Sequence, residues 1–161
     1  MSDLISDGKT RVAWVPSIAN INAPTVSELT TGGALDLTPR LTPDGLKMDP
    51  TTADVDTSSL ASTADTYEVG RVKFDGELTI KRGDTAPEDL PYSTLTYGVH
   101  GFLVVRRGVA YATGFATGQQ VEVYPVVCGE RANKAPAANE VMKWMAPLKV
   151  TTSPATNATV A

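Results

Sequence analysis

From Arg71 to Lys81 the chain alternates without a break, Val72, Phe74, Gly76, Leu78 and Ile80 being separated by Arg71, Lys73, Asp75, Glu77, Thr79 and Lys81. A period of two sustained this long specifies an extended strand with one dry face and one wet face, the pattern of an antiparallel sheet. At about 3.3 Å per residue the run spans roughly 36 Å, well beyond the usual strand of about five or six residues. Such a strand either curves around something or extends past a compact sandwich. Gly76 interrupts the dry face and marks a bend or bulge. The dry set, Val72, Phe74, Leu78 and Ile80, is assigned to the core together with Trp14 and Trp144.

Further strands are read at Arg11–Val15, Asp36–Leu41, Thr51–Thr57, Gly101–Arg107, Gln120–Cys128 and Met142–Thr151. In the last, Met142, Trp144, Ala146, Leu148 and Val150 share a face. Pro125 and Pro147 fall inside two of these runs; a proline donates no ladder hydrogen bond, so both are placed at edges or bulges. Helix is scarce. Thr25-Val26-Ser27-Glu28 fits a capping box leading to one or two turns before Gly32-Gly33. A second short helix is expected within Glu88–Tyr97, started by Pro87 or Pro91 and stopped at Gly98. Strands, a helix, then more strands read as a mainly β fold, a β-sandwich or barrel with one short flanking helix.

At 161 residues the chain suits a single core. That domain is assigned to residues 1–151. Ser58–Val69 is too long for an ordinary hairpin loop and is read as a long functional loop, with Leu60 and Tyr67 as its apolar contacts. Thr152–Ala161 has neither charge nor a large apolar group, so it is expected to be frayed or ordered by a neighbouring subunit.

The acidic balance matters for function. Net charge is −4, which argues against a protein that grips phosphates. Between Glu28 and Glu68 eight acidic residues face only Arg40 and Lys47, a local −6, leaving +2 elsewhere by difference from −4. Met1–Thr10 contains no apolar run of the signal-peptide kind, and no stretch reaches the roughly 18 apolar residues of a membrane span.

Chemistry-bearing residues do not assemble into a motif. His100 is the one histidine and Cys128 the one cysteine; both read as structural. Asp44, Asp49, Asp54 and Asp56 lack calcium-loop spacing, Gly32-Gly33 lacks the Lys-Ser or Lys-Thr of a phosphate loop, and Arg106-Arg107 reads as a strand-edge ion pair. The expectation is a non-enzyme with no catalytic residues, no metal and no cofactor. A sugar-binding module or small glycosidase would need aromatics exposed on one sheet face, and aromatics are only 6% of the chain.

The order of short words along the chain carries a resemblance. Val12-Ala13-Trp14-Val15-Pro16, Ile18-Ala19-Asn20, Ala23-Pro24-Thr25, Glu28-Leu29 and Val55-Asp56-Thr57-Ser58-Ser59-Leu60 are followed by Gly70-Arg71-Val72 and Glu77-Leu78-Thr79-Ile80-Lys81-Arg82. Then come Gly101-Phe102-Leu103-Val104-Val105-Arg106-Arg107-Gly108 and Val121-Glu122-Val123-Tyr124-Pro125-Val126. Taken in order, these resemble the tail tube proteins of siphovirus-type bacteriophages that infect actinobacteria. The resemblance implies a virion subunit made in the host cytoplasm, forming hexameric rings whose inner strands join one ring-wide barrel. Rings would stack around a tape-measure protein and later pass DNA, meeting tail tip and tail terminator proteins, with no membrane in the tube. The alternative is another non-catalytic phage β-sandwich such as a capsid decoration protein. Pairing Thr51–Thr57 with Arg71–Lys81 would set Asp54 and Asp56 on the same wet face as Asp75, Glu77 and Lys73, giving a moderately negative lumen wall. Ser58–Val69 would then be the loop that stacks on the next ring.

Overall fold

The computed structural model describes residues 1–161. In chain order the elements are β1 (Thr10–Val15), α1 (Val26–Thr30), β2 (Leu35–Asp36), β3 (Leu41–Asp56), β4 (Tyr67–Lys81), α2 (Leu90–Thr94), β5 (His100–Arg107), β6 (Gln120–Cys128), β7 (Ala132–Asn133), β8 (Lys143–Val150) and β9 (Ala155–Thr159). Every strand pair is antiparallel, and the sheet runs β2-β1-β5-β6-β8-β4-β3 with β7 joined to β8 and β9 joined to β6. The sheet folds over on itself. Val12, Trp14, Leu103 and Tyr124 from one half meet Leu78, Ile80, Trp144 and Leu148 from the other in a single apolar cluster, so the fold is a β-sandwich.

Three strands are dry on both faces. In β1, Val12 and Trp14 point into that first cluster, while Ala13 and Val15 point into a second. In β5, Leu103 and Val105 alternate in the same way with Val104. In β6, Tyr124, Val126 and Cys128 serve the first cluster and Val121 and Val123 the second. This explains why these segments read as continuous apolar runs rather than as alternation. Gly101 is required beneath Trp14, because a Cβ there would stand 2.3 Å from the buried indole.

The second cluster is closed by α1 and by the C-terminal residues. Thr25 caps α1 as expected: its hydroxyl accepts from Glu28 N–H at 3.2 Å while the Glu28 carboxylate accepts from Thr25 N–H at 3.0 Å, and Leu29 is buried. Residues Thr152–Ala161 are neither frayed nor left for a neighbour. Ala155–Thr159 forms β9 on β6, Val160 N–H donates to Gln119 O, Ala161 N–H donates to Pro24 O, and Ala155, Ala158 and Val160 are buried. Small side chains suffice there because Val104, Phe115, Val121 and Val123 already present the apolar surface. The C-terminal segment is thus part of the same domain as residues 1–151.

Both short helical segments form where expected, as five-residue helices. Other expectations shift. The strand expected at Asp36–Leu41 is only the two-residue β2, since Leu37 N–H donates to Val12 O and Thr38 turns its hydroxyl onto β1. Pro125 lies at no edge. It sits where β6 changes partner from β9 to β8, and its carbonyl accepts from Thr151 N–H at 2.9 Å. Pro147 is likewise interior, opposite Glu77 on β4.

Trp14, Leu78, Ile80 and Trp144 are buried as assigned, and Phe74 is half-buried with its ring edge-on to Tyr124 at 5.8 Å. Val72 is not core: it is 51% exposed, because β4 has left the sandwich by that point. Leu78→Ala should therefore lower stability by about 2–5 kcal/mol and Val72→Ala by at most about 0.5 in the isolated subunit, read from urea unfolding midpoints. Equal losses would refute this division. Gly101→Ala should cost about 1–3 kcal/mol through overpacking against Trp14.

Candidate assembly surface

β3 and β4 run 16 and 15 residues and outreach the rest of the sheet. Beyond the Asp49–Asp75 pair every residue of β3 is exposed, and on β4 only Phe74 and Gly70 are partly covered. At about 3.3 Å per residue the seven from Pro50 to Asp56 carry the two-stranded arm roughly 23 Å out. An isolated two-stranded ribbon is marginal in water, so an arm of this length needs a surface to rest on.

One bulge decides what the arm displays. Register runs Glu77–Lys47, Asp75–Asp49, Lys73–Thr51 and Val72–Thr52, and then skips to Val69–Asp54 and Tyr67–Asp56. The extra residue lies on β4 at Gly70-Arg71, where a Cβ on Gly70 would sit 2.9 Å from the Ala53 carbonyl. Because an inserted residue reverses the parity of everything beyond it, Val69 and Tyr67 join Val72 and Phe74 on the dry face. The core stripe thus continues onto the arm as Phe74, Val72, Val69 and Tyr67, with Val69 73% and Tyr67 59% exposed.

The same register divides the expected carboxylate set. Lys73, Asp75 and Glu77 share the wet face, joined across strands by Lys47, Asp49 and Lys149. Asp54 and Asp56 do not join them. Following β3 by alternation, they fall on the side of Met48, Pro50 and Thr52, opposite Val69 and Tyr67. From Lys73 to Glu77 this face consequently carries three lysines against three carboxylates, so that stretch is not a negative wall, and Lys73 lies 3.6 Å from Asp75.

The loop at the tip spans Thr57–Thr66; Tyr67, Glu68 and Val69, read from sequence as loop, belong to β4. Hydroxyls close the loop on itself. Thr57 N–H donates to Thr66 O at 2.9 Å, the Thr57 and Thr66 hydroxyls are 2.8 Å apart, and Thr66 N–H donates to Ser58 Oγ at 2.9 Å. Ser58 N–H donates to the Asp56 carboxylate at 2.8 Å, and this bond, with the Ser58 hydroxyl, holds Asp56 below its ordinary pKa. The lock leaves Leu60 fully exposed at the apex.

The residues weighed for chemistry lie apart. His100 is exposed at the start of β5 and Cys128 is buried at the end of β6. Arg106 and Arg107 separate completely. Arg107 pairs with Glu122 at 2.9 Å, whereas Arg106 is fully buried, donates to the Gly114 and Ala110 carbonyls and to Gln119 Oε1, and so fixes the loop after β5. Its buried cation has no carboxylate beside it, and desolvation lowers its pKa. Sequence gave no sign of this, since two adjacent arginines on a strand look alike until their faces are known.

A family model described as phage tail tube protein matches residues 1–161. Among solved structures, a chain of the six-fold symmetrised cryo-EM structure of the anti-feeding prophage baseplate has a similar fold, with a TM-score of 0.59 at 9% identity, covering 94% of this chain and 95% of that chain. No curated protein matches.

Two buried groups give the sandwich a readable pH dependence. Burial first, then the Glu122 charge and the hydrogen bond to it, push the Tyr124 hydroxyl from 10.0 to about 12; burial pushes the Cys128 thiol from 9.0 to about 11. Both pKa values are raised, so their contribution is complete below the unfolded values and is lost as pH climbs through 9–11 for Cys128 and 10–12 for Tyr124. Urea midpoints should fall across that window, and Tyr124→Phe should flatten its upper part. At pH 8 iodoacetamide should label Cys128 only on unfolding; rapid labelling of folded protein would contradict its burial.

Proposed function

This chain belongs to the phage tail tube protein family, and we propose that it is a siphovirus-type tube subunit that forms hexameric rings stacked into the conduit for genome ejection. The observation that carries this reading is the β3–β4 arm, which displays Val72, Val69 and Tyr67 with no cover from its own chain. A ribbon whose apolar stripe continues the core needs a second copy to bury it. The similar baseplate chain comes from a six-fold symmetrised structure, which supports a six-membered ring.

The inner wall is assigned to β3, β4 and β8 with β7 beside them, four strands per subunit. Six subunits then give about 24 strands, and at about 4.8 Å spacing and about 40° tilt a barrel roughly 48 Å across, wide enough for duplex DNA about 20 Å across. The middle stretch of this wet face, from Lys73 to Glu77 with its cross-strand neighbours, lines the lumen in this reading. Its balance of Lys47, Lys73 and Lys149 against Asp49, Asp75 and Glu77 suits a passage, because a surface rich only in lysine would release counterions from the phosphates and hold the cargo. The tape-measure protein fills this lumen before DNA does, and tail tip and tail terminator proteins close the two ends.

Negative-stain microscopy of the purified protein should show stacked rings with a central hole. Monomers alone at high concentration would overturn the reading. Deleting Ser59–Thr66 should leave a folded sandwich, with an unchanged Leu78-dependent core, that no longer forms tubes; normal tubes from that variant would remove the tip loop from the stacking contact.

A further inference from the structure

The two ends of the long ribbon carry opposite charge. At the tip, Asp54, Asp56, Asp65 and Glu68 are all exposed, and none has a basic group within ion-pair distance. Arg71 is the one cation on that part of the arm, leaving a net −3. At the base the register places Lys81 directly opposite Lys143, and the β7 ladder continues to Lys134, whose N–H donates to Lys143 O at 3.0 Å. Residues opposite one another in antiparallel strands share a face, so three ammonium groups form a row across β4, β8 and the end of β7. Like charges set opposite each other destabilise a sheet. Glu140, 3.4 Å from Lys143 Nζ, is the one carboxylate in ion-pair contact with the row, and Lys81 and Lys134 have none. Arg82, the next residue on the chain, is itself occupied by Asp89 at 2.8 Å, so that carboxylate is not available to the row.

Within one subunit these ends cannot answer each other. Glu68 and Lys81 are thirteen residues apart on one strand, roughly 43 Å at about 3.3 Å per residue. Screening at physiological salt acts over about 8 Å. A head-to-tail contact between copies removes both imbalances at once, and such a heterologous contact, translated along the strand direction, generates an open stack rather than a closed dimer.

We infer that the Lys81–Lys143–Lys134 row is the receptor for the acidic arm tip of a second copy in the adjoining ring, so that charge sets the polarity of stacking. This rests on the tube reading and adds the partner surface to it. The apolar stripe supplies the buried area of the contact, and the charges fix its direction, since tip against tip or base against base would bring like charges together.

The test uses the full chain in four forms: wild type, Lys81→Glu with Lys134→Glu, Asp54→Lys with Glu68→Lys, and all four substitutions together. Asp56 is left intact because it closes the tip loop. Circular dichroism and urea midpoints establish that each variant is folded, and sedimentation with negative-stain microscopy gives the concentration at which tubes form. Each charge-reversed pair should raise that concentration by about tenfold or more, because weak exposed pairs repeat around a ring. The four-substitution form should recover tubes, and wild-type tubes should shorten near 1 M salt, where screening acts over about 3 Å. Unchanged tube formation by the lysine variant would overturn the inference while leaving the tube reading intact. So would folded variants that the combined form fails to rescue. Normal tubes from the lysine variant that no longer retain duplex DNA would assign the row to the cargo instead. Wild-type protein that forms no polymer at all would overturn both.

Discussion

Two-sided burial of β1, β5 and β6 is the constraint on which the rest of this subunit depends. A strand dry on both faces needs a layer on each side, and the chain provides them from different sources. On one side the sheet returns upon itself, bringing Leu78, Ile80, Trp144 and Leu148 over Trp14 and Leu103. On the other, α1 and the C-terminal strand cover Val104, Val121 and Val123. The close passage of Trp14 over Gly101 shows how tightly the first layer is set. Since protein interiors are packed at crystal-like density, that spine is rigid and gives β4 a fixed base from which to project.

Projection is what turns a sandwich into a component. β4 is anchored by β8 along Asp75–Lys81, then loses that neighbour and continues paired only with β3. Its dry face does not end where the core ends. The bulge at Gly70-Arg71 keeps Val69 and Tyr67 in line with Val72, so an exposed apolar stripe is preserved rather than turned over. Surface of that kind, continuous with a core, is how obligate assemblies are built. At the tip the Thr57, Ser58 and Thr66 hydroxyls and the Asp56 carboxylate satisfy the turning backbone, so a loop without a core of its own is nevertheless shaped before it meets a partner.

Charge follows the same division. The middle of the ribbon is balanced on its wet face, with lysines and carboxylates interleaved across three strands. Imbalance is confined to the two ends, acidic at the loop and basic at the junction with β8. The ribbon is thus neutral along its middle and oppositely charged at its two ends.

The amino-acid sequence by itself determined the strand period of Arg71–Lys81, the capping box at Thr25–Glu28, the mainly β class and the burial of Trp14, Leu78, Ile80 and Trp144. All of these are local properties, set by side-chain alternation or by hydrogen bonds between residues three apart. What only the tertiary structure decided depends on partners distant in the chain. Val72 has the same chemistry as Leu78, yet β8 ends before reaching it, so one is exposed and the other buried. Asp54 and Asp56 have the alternation of a wet face, but the register with β4 places them on the opposite side from Asp75 and Glu77. Thr152–Ala161 has no large apolar group, yet a waiting surface on β6 makes alanines and a valine enough to order it. Arg106 and Arg107 are neighbours in sequence and point to opposite faces, one into the interior and one to Glu122. Alternation states that a strand has two faces; which of them is covered, and for how long, is settled by the strands that come to lie beside it.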